Sequence, residues 1–154
     1  MLKFTKMQGI GNDYIYFDGI HQNVPMNKTF IQRISDRHYG IGSDGMIVIL
    51  PSSHCDFKMR MFNLDGSEAK MCGNGIRCFS KFVYDYHLTD KTYLEIETLG
   101  GIKKVWLTLD NQEVTMVKVD MGKPILETKD IPCLFDKKTM INEAVEINGN
   151  IYHL

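Results

Sequence analysis

Long apolar runs are missing from this 154-residue chain, so nothing in it approaches the roughly 20 residues a helix needs to cross a bilayer. Surplus charge of one sign is missing too. Eighteen Lys and Arg against 19 Asp and Glu leave a formal net charge of -1, which gives no reason to expect nucleic acid or an anionic membrane as partner. Met1 to Asp13 has neither the apolar h-region nor the cleavage site of a signal peptide, and a cytoplasmic home is expected. Cysteine is sparse: Cys55, Cys72, Cys78 and Cys133 form no paired C-x-x-C clusters, and the five histidines are scattered. No metal is therefore expected, and in a reducing compartment the four are expected as free thiols. No low-complexity tract, charge block or Gly/Ser linker divides the chain. What is present, 44% hydrophobic and 24% charged residues, excludes a disordered or collagen-like chain. The length suits one domain, or one half of a two-domain protein.

Local patterning predicts a strand-rich α+β fold. Leu2 to Met7 and Asp13 to Asp18 read as strands around the turn Gly9-Ile10-Gly11-Asn12. Asn27 offers an N-cap for a helix over Lys28 to His38, with Phe30, Ile31 and Ile34 on one face and Gly40 as its stop. Met46 to Leu50 is a short apolar run closed by Pro51, and Asp56 to Asn63 alternates, so these pair as strands before the Asp65-Gly66 turn. A helix is predicted to begin around Gly73 to Gly75 and to bury Ile76, Phe79 and Val83. Beyond Leu88 come strands at Thr92 to Thr98, Gly101 to Leu109, Glu113 to Met121 and, more weakly, Val145 to His153; Asn148 to Leu154 reads as a hairpin whose second arm has barely begun.

One stretch carries chemistry. Asn63 to Cys78 brings a single thiol, Cys72, to a glycine-bracketed turn immediately before a helix. Unpaired N–H groups at a helix start, with the positive end of the macrodipole, favour negative charge on sulfur, and the same groups can hold a substrate carboxylate. The bland alternative is a packing thiol in a tight turn. Glycines at 73 and 75, which clear bulk where a ligand would meet the backbone, argue against it, whereas Cys78 lies inside the helix and reads as packing. A protease-type nucleophile would need an activating histidine, and none of His21, His38, His54, His87 or His153 sits in such a motif. The remaining task for a thiolate is to take a proton from carbon. Asn12 and Asn63 sit beside turns at strand ends, where an amide suits either recognition of an α-amino acid or local turn capping. Gly40 to Gly45 lacks the Lys-Ser/Thr ending of a phosphate loop and reads as a helix stop followed by a strand start.

Met7 to Tyr14, Asp36 to Gly45 and Asn63 to Arg77, with Cys72-Gly73-Asn74-Gly75 at its centre, are three ordered motifs that resemble the diaminopimelate epimerase family; Val119 to Pro124 extends the match more loosely. The resemblance implies a fold of two similar domains, each a mixed, barrel-like sheet around a central helix. It implies pyridoxal-independent inversion of one α-carbon of diaminopimelate by two cysteines on opposite faces, with no cofactor. Cys72 would be one catalytic thiol, and Asn12, Asn63, Gly73 and Asn74 would hold the substrate. Position 45 is glycine where some members carry Gln, so no binding role passes to it.

The family's second half, with its own Cys-Gly-Ser/Thr-Gly turn and Glu-Arg pair, has no counterpart here. Residues 1–154 are thus expected to be a single N-terminal domain whose C-terminal partner domain is absent, and inactive alone. The face that would meet that domain is expected to be apolar and to invite a homodimer. Two other functions stay open: half of a related proline-type racemase or isomerase, and a non-catalytic binding module that kept the fold.

Overall fold

The structure is a computed structural model that describes residues 1–131 and 133–153, and it divides into two compact units, Met1–Met121 and Gly122–Leu154. In the first unit β1 (Thr5–Gly9) and β2 (Asn12–Asp18) form the expected hairpin. Ile10 and Gly11 both take positive φ, 56° and 79°, as a two-residue turn matched to strand twist requires.

Helix α1 (Lys28–Ser35) starts where predicted, with Asn27 Oδ1 accepting from the Phe30 N–H at 2.9 Å, but stops three residues short of His38. The reason is Asp36. Its carboxylate accepts from the N–H groups of His38 and Tyr39, both at 2.7 Å, and this local turn outcompetes another helical turn.

The chain continues through β3 (Gly45–Leu50), β4 (Phe57–Asn63), the two-residue β5 (Glu68–Ala69), helix α2 (Gly73–Asp85), β6 (Tyr93–Thr98), β7 (Gly101–Asp110) and β8 (Glu113–Val119). Strand order is β1-β2-β3-β4-β6-β7-β8, with β5 paired to β4. Two neighbours are parallel, β2 with β3 and β4 with β6; α1 lies in the first crossover and α2 in the second.

The period-two pattern divides the core between two layers. Tyr14, Tyr16, Ile47, Ile49, Met59, Leu94, Ile96 and Val105 cluster with Ile76, Phe79 and Val83 of α2. Ile15, Phe17, Met46, Val48 and Phe62 form the second layer, against Ile31 of α1. Both edge strands reach α2: Thr5 Oγ1 lies 2.5 Å from Tyr86 Oη at its C-terminal cap, and Lys81 Nζ donates to the Val114 carbonyl of β8 at 3.1 Å. The result is the expected α+β arrangement, a mixed sheet curling around a central helix.

The second unit contains a 3-10 turn at Thr128–Asp130 and a hairpin of β9 (Ala144–Ile147) and β10 (Asn150–His153), turning through Asn148 and Gly149 at positive φ. This is the hairpin read from the sequence, save that Leu154 lies outside the described residues. Among the described residues no helix is long and apolar enough to cross a membrane.

Gly45 starts β3 where no side chain fits: a Cβ there would lie 2.0 Å from the Phe62 carbonyl oxygen on the paired strand and 3.0 Å from Tyr14 Cε1. Because backbone on the neighbouring strand cannot step aside cheaply, Gly45→Ala should cost about 1–3 kcal/mol or more. Urea denaturation reads this directly, and an unchanged midpoint with unchanged slope would contradict it.

Candidate active site

Cys72 is the N-cap of the 13-residue helix α2, at φ -139° and ψ 119°. Its Sγ accepts from the Gly75 N–H at 3.2 Å, the work an Asp or Ser oxygen does at an ordinary cap. The Ile76 N–H donates to the Cys72 carbonyl at 2.9 Å. Among the described residues the remaining two first-turn amides, Gly73 and Asn74, have no intramolecular acceptor. A thiol and two free amides at the positive end of a helix therefore share one turn, as the sequence implied.

The two glycines differ in role. A Cβ on Gly73 would meet nothing nearer than Met121 Cε at 3.8 Å, which fits the expected clearance for a ligand. A Cβ on Gly75 would lie 2.7 Å from Ile47 Cδ1, so that glycine lets the helix start press against β3. The half-buried Asn74 side chain bonds along its own helix, its Oδ1 accepting from Arg77 Nη2, while Arg77 Nη1 donates to the Gly73 carbonyl at 3.0 Å.

Asn12 reaches the thiol directly. The Cys72 S–H donates to Asn12 Oδ1 at 3.4 Å, and Asn12 Nδ2 donates to Asp44 Oδ2 at 2.8 Å. Asn63 shares the rim, since Asn12 starts β2, Gly45 starts the adjacent β3, and Asn63 ends β4 opposite Gly45. Its own amide donates to Ser67 Oγ at 3.0 Å within the turn that follows, the local capping role that the sequence left open. The structure thus brings Cys72, Gly73, Asn74 and Asn12 together and places Asn63 two strands along.

Five further residues shape this corner and were not singled out from sequence. Arg37 donates to both oxygens of Asp13, at 2.7 and 3.1 Å, and to Asp44 Oδ1 at 2.9 Å; Lys6 Nζ lies 3.1 Å from Asp13 Oδ2. The Arg37 guanidinium, aided by Lys6 against the cost of burial, holds the Asp13 carboxyl well below the usual carboxylate range. Tyr14 is buried beside Asn12 and Cys72, and burial first, then the charge of Cys72, pushes its phenol up. Asp13 and Tyr14 close the first motif and Arg37 and Asp44 flank Gly40-Ile41-Gly42 in the second, with Lys6 outside both; the chemistry stayed hidden because the bonds that join the two motifs span 24 to 32 residues.

The other described thiols lack this setting. Burial first, with Glu95 next, pushes the Cys55 thiol up, and burial raises that of Cys78 inside α2. Among the described residues no group of three or more His, Cys, Asp or Glu side chains converges as a metal site would.

The curled mixed sheet around one helix recurs in solved structures of a racemase and an isomerase. The chain superposes on a probable proline racemase from Agrobacterium radiobacter with TM-score 0.64 at 13% identity, over 77% of this chain and 41% of that one. A methylitaconate-delta-isomerase superposes with TM-score 0.60 at 15% identity, over 97% and 38%. At such identities the likeness is one of fold. Sequence is more specific: residues 4–127 match the family model described as diaminopimelate epimerase, and the chain belongs to that family. It is 55% identical over 152 residues to the diaminopimelate epimerase of Methanococcus maripaludis and 51% identical over 148 residues to that of Acetivibrio thermocellus. These alignments cover 99% and 96% of this chain but 55% and 53% of the relatives, so the chain spans about half their length.

Because the folded Asp13 carboxyl titrates below its unfolded value of about 3.9, its ion pairs stabilise the fold fully above that value and are lost as pH falls through the folded one. Asp13→Asn should therefore lower the urea midpoint at pH 7 and flatten its decline below about pH 4 relative to the parent. Parallel acid curves for the two proteins would contradict this account.

Proposed function

We propose that this chain provides one catalytic half of a cofactor-independent epimerase that inverts an α-carbon of diaminopimelate, with Cys72 as one of two acid/base groups. The observation that carries the reading is the placement of a single sulfur between a donor, the Gly75 N–H, and an acceptor, Asn12 Oδ1, beside two amides with no internal partner. A donor favours the thiolate and an acceptor favours the thiol, which suits a group that must take a proton and give it back.

In this proposal the substrate's α-carboxylate rests on the Gly73 and Asn74 N–H groups, where the positive end of the α2 dipole stabilises the negative charge that builds up as the α-proton leaves. The C–H bond breaks toward Cys72 Sγ, an S–H bond forms, and the electron pair stays on the α-carbon, delocalised into the carboxylate. A second acid then delivers a proton to the opposite face. Asn12 and Asn63, on the same rim, contact the rest of the amino acid. The names of the relatives supply the substrate. None of Cys55, Cys78 and Cys133 is followed by glycine or caps the start of a helix, so the second acid/base belongs to a second domain of the sort the family carries.

Two outcomes test this. At neutral pH, iodoacetamide should modify Cys72 at least about tenfold faster than Cys55, Cys78 or Cys133, as followed by mass spectrometry of digests; equal rates would reduce the site to a packing feature and favour a binding module. Purified 154-residue protein should not epimerise diaminopimelate at a measurable steady rate, and sustained turnover would refute the requirement for a second group.

A further inference from the structure

We infer that Asp44 is a positioning residue for the site: its carboxylate fixes which end of the Asn12 amide faces Cys72, and so sets how readily that sulfur sheds its proton. The inference rests on the reading of Cys72 as an acid/base group.

An ionised carboxylate can only accept, so the group 2.8 Å from Asp44 Oδ2 must be the Asn12 NH2, and the amide oxygen is obliged to face the other way. The other way is Cys72 Sγ, at 3.4 Å. Asp44 is not free to turn aside. Oδ2 also accepts the Asp13 N–H at 3.1 Å, Oδ1 accepts from Arg37 Nη2 at 2.9 Å, and the Asp44 N–H donates to the Asp13 carbonyl at 2.8 Å. Arg37 is itself bonded to both oxygens of Asp13. A chain of bonds thus runs from a surface guanidinium through Asp44 and Asn12 to sulfur, and every member has its polarity set by the one before.

The consequence at sulfur is specific. An amide oxygen welcomes an S–H and opposes an anion, whereas an amide NH2 in its place would stabilise the thiolate. Asp44 therefore holds the acceptor side of the donor–acceptor pair around Cys72, against the Gly75 N–H on the other. Without it the Asn12 amide can turn over, and both neighbours of the sulfur would then favour the anion.

The test is a mutant cycle read by iodoacetamide alkylation of Cys72 in the full chain at pH 7, with urea midpoints to show that each protein is folded. Asp44→Asn should speed alkylation about threefold to tenfold over the parent, because its side chain can donate to the Asn12 oxygen and release the NH2 toward sulfur. On an Asn12→Ala background the same substitution should leave the rate unchanged. Equal acceleration in both backgrounds would mean that Asp44 acts only through its charge, and no acceleration, or slowing, in the parent background would mean that the amide is not held; either result overturns the inference. If Asp44→Asn does not fold, Asp44→Ala, which removes the acceptor altogether, carries the same comparison. Should the parent show no preference for Cys72 over Cys55 and Cys78, the acid/base reading itself fails, whatever the cycle gives.

Discussion

The Gly75 N–H to Cys72 Sγ bond is the constraint around which this molecule is arranged. It ends the loop after β5, starts the helix that fills the sheet, and fixes the thiol in space. For sulfur to take the place of a capping oxygen the first turn must lie close to the sheet, and Gly75 against Ile47 allows this. From that point α2 carries Ile76, Phe79 and Val83 into the layer shared with Tyr16, Ile49 and Leu94. Core packing and thiol placement are thus one structural fact: the helix that stabilises the unit is the helix whose N-terminal end carries the thiol.

A second constraint works at longer range. The rim of the sheet gathers strand ends from β2, β3 and β4, and with them Asn12, Asp13, Asp44 and Asn63. Charge on this rim is kept in order by Arg37, whose guanidinium spans two carboxylates. Arg37 can do so because α1 ends early. Were the helix to continue to His38, the residue would point along a helical lattice rather than across to β2. The local turn made by Asp36 is therefore part of the site's construction, although it lies far from the thiol in sequence.

Much of this was legible in the chain. Alternation in Asp56 to Asn63, the apolar run Met46 to Leu50 and the helical spacing of Ile76, Phe79 and Val83 gave the main elements, because in each case burial of one face dictates the residue pattern. The Asn27 cap and the Cys72 turn were legible for a similar reason: caps are local, and their chemistry is written within three or four residues. What escaped was either too short or too distant. β5 is two residues long and has no period to read. The Asp36 turn cut short a helix that the apolar spacing carried on to His38, because its two side-chain bonds leave no periodic signal. The Asp44 to Asn12 bond joins residues 32 apart, and only the β2–β3 pairing brings them together.

Strand β3 deserves a last consequence. Met46 and Val48 belong to the layer under α1, while Ile47 and Ile49 belong to the layer around α2, so one ribbon of backbone serves two separately packed interiors. Interiors this dense transmit displacement rather than absorb it. A change of side-chain volume beneath α1, remote from any reacting atom, would shift β3 and with it Ile47, the side chain against which the first turn of α2 is seated. Tolerance to variation should consequently be uneven in a way that distance from sulfur does not capture, with the far layer behaving as a foundation for the near one.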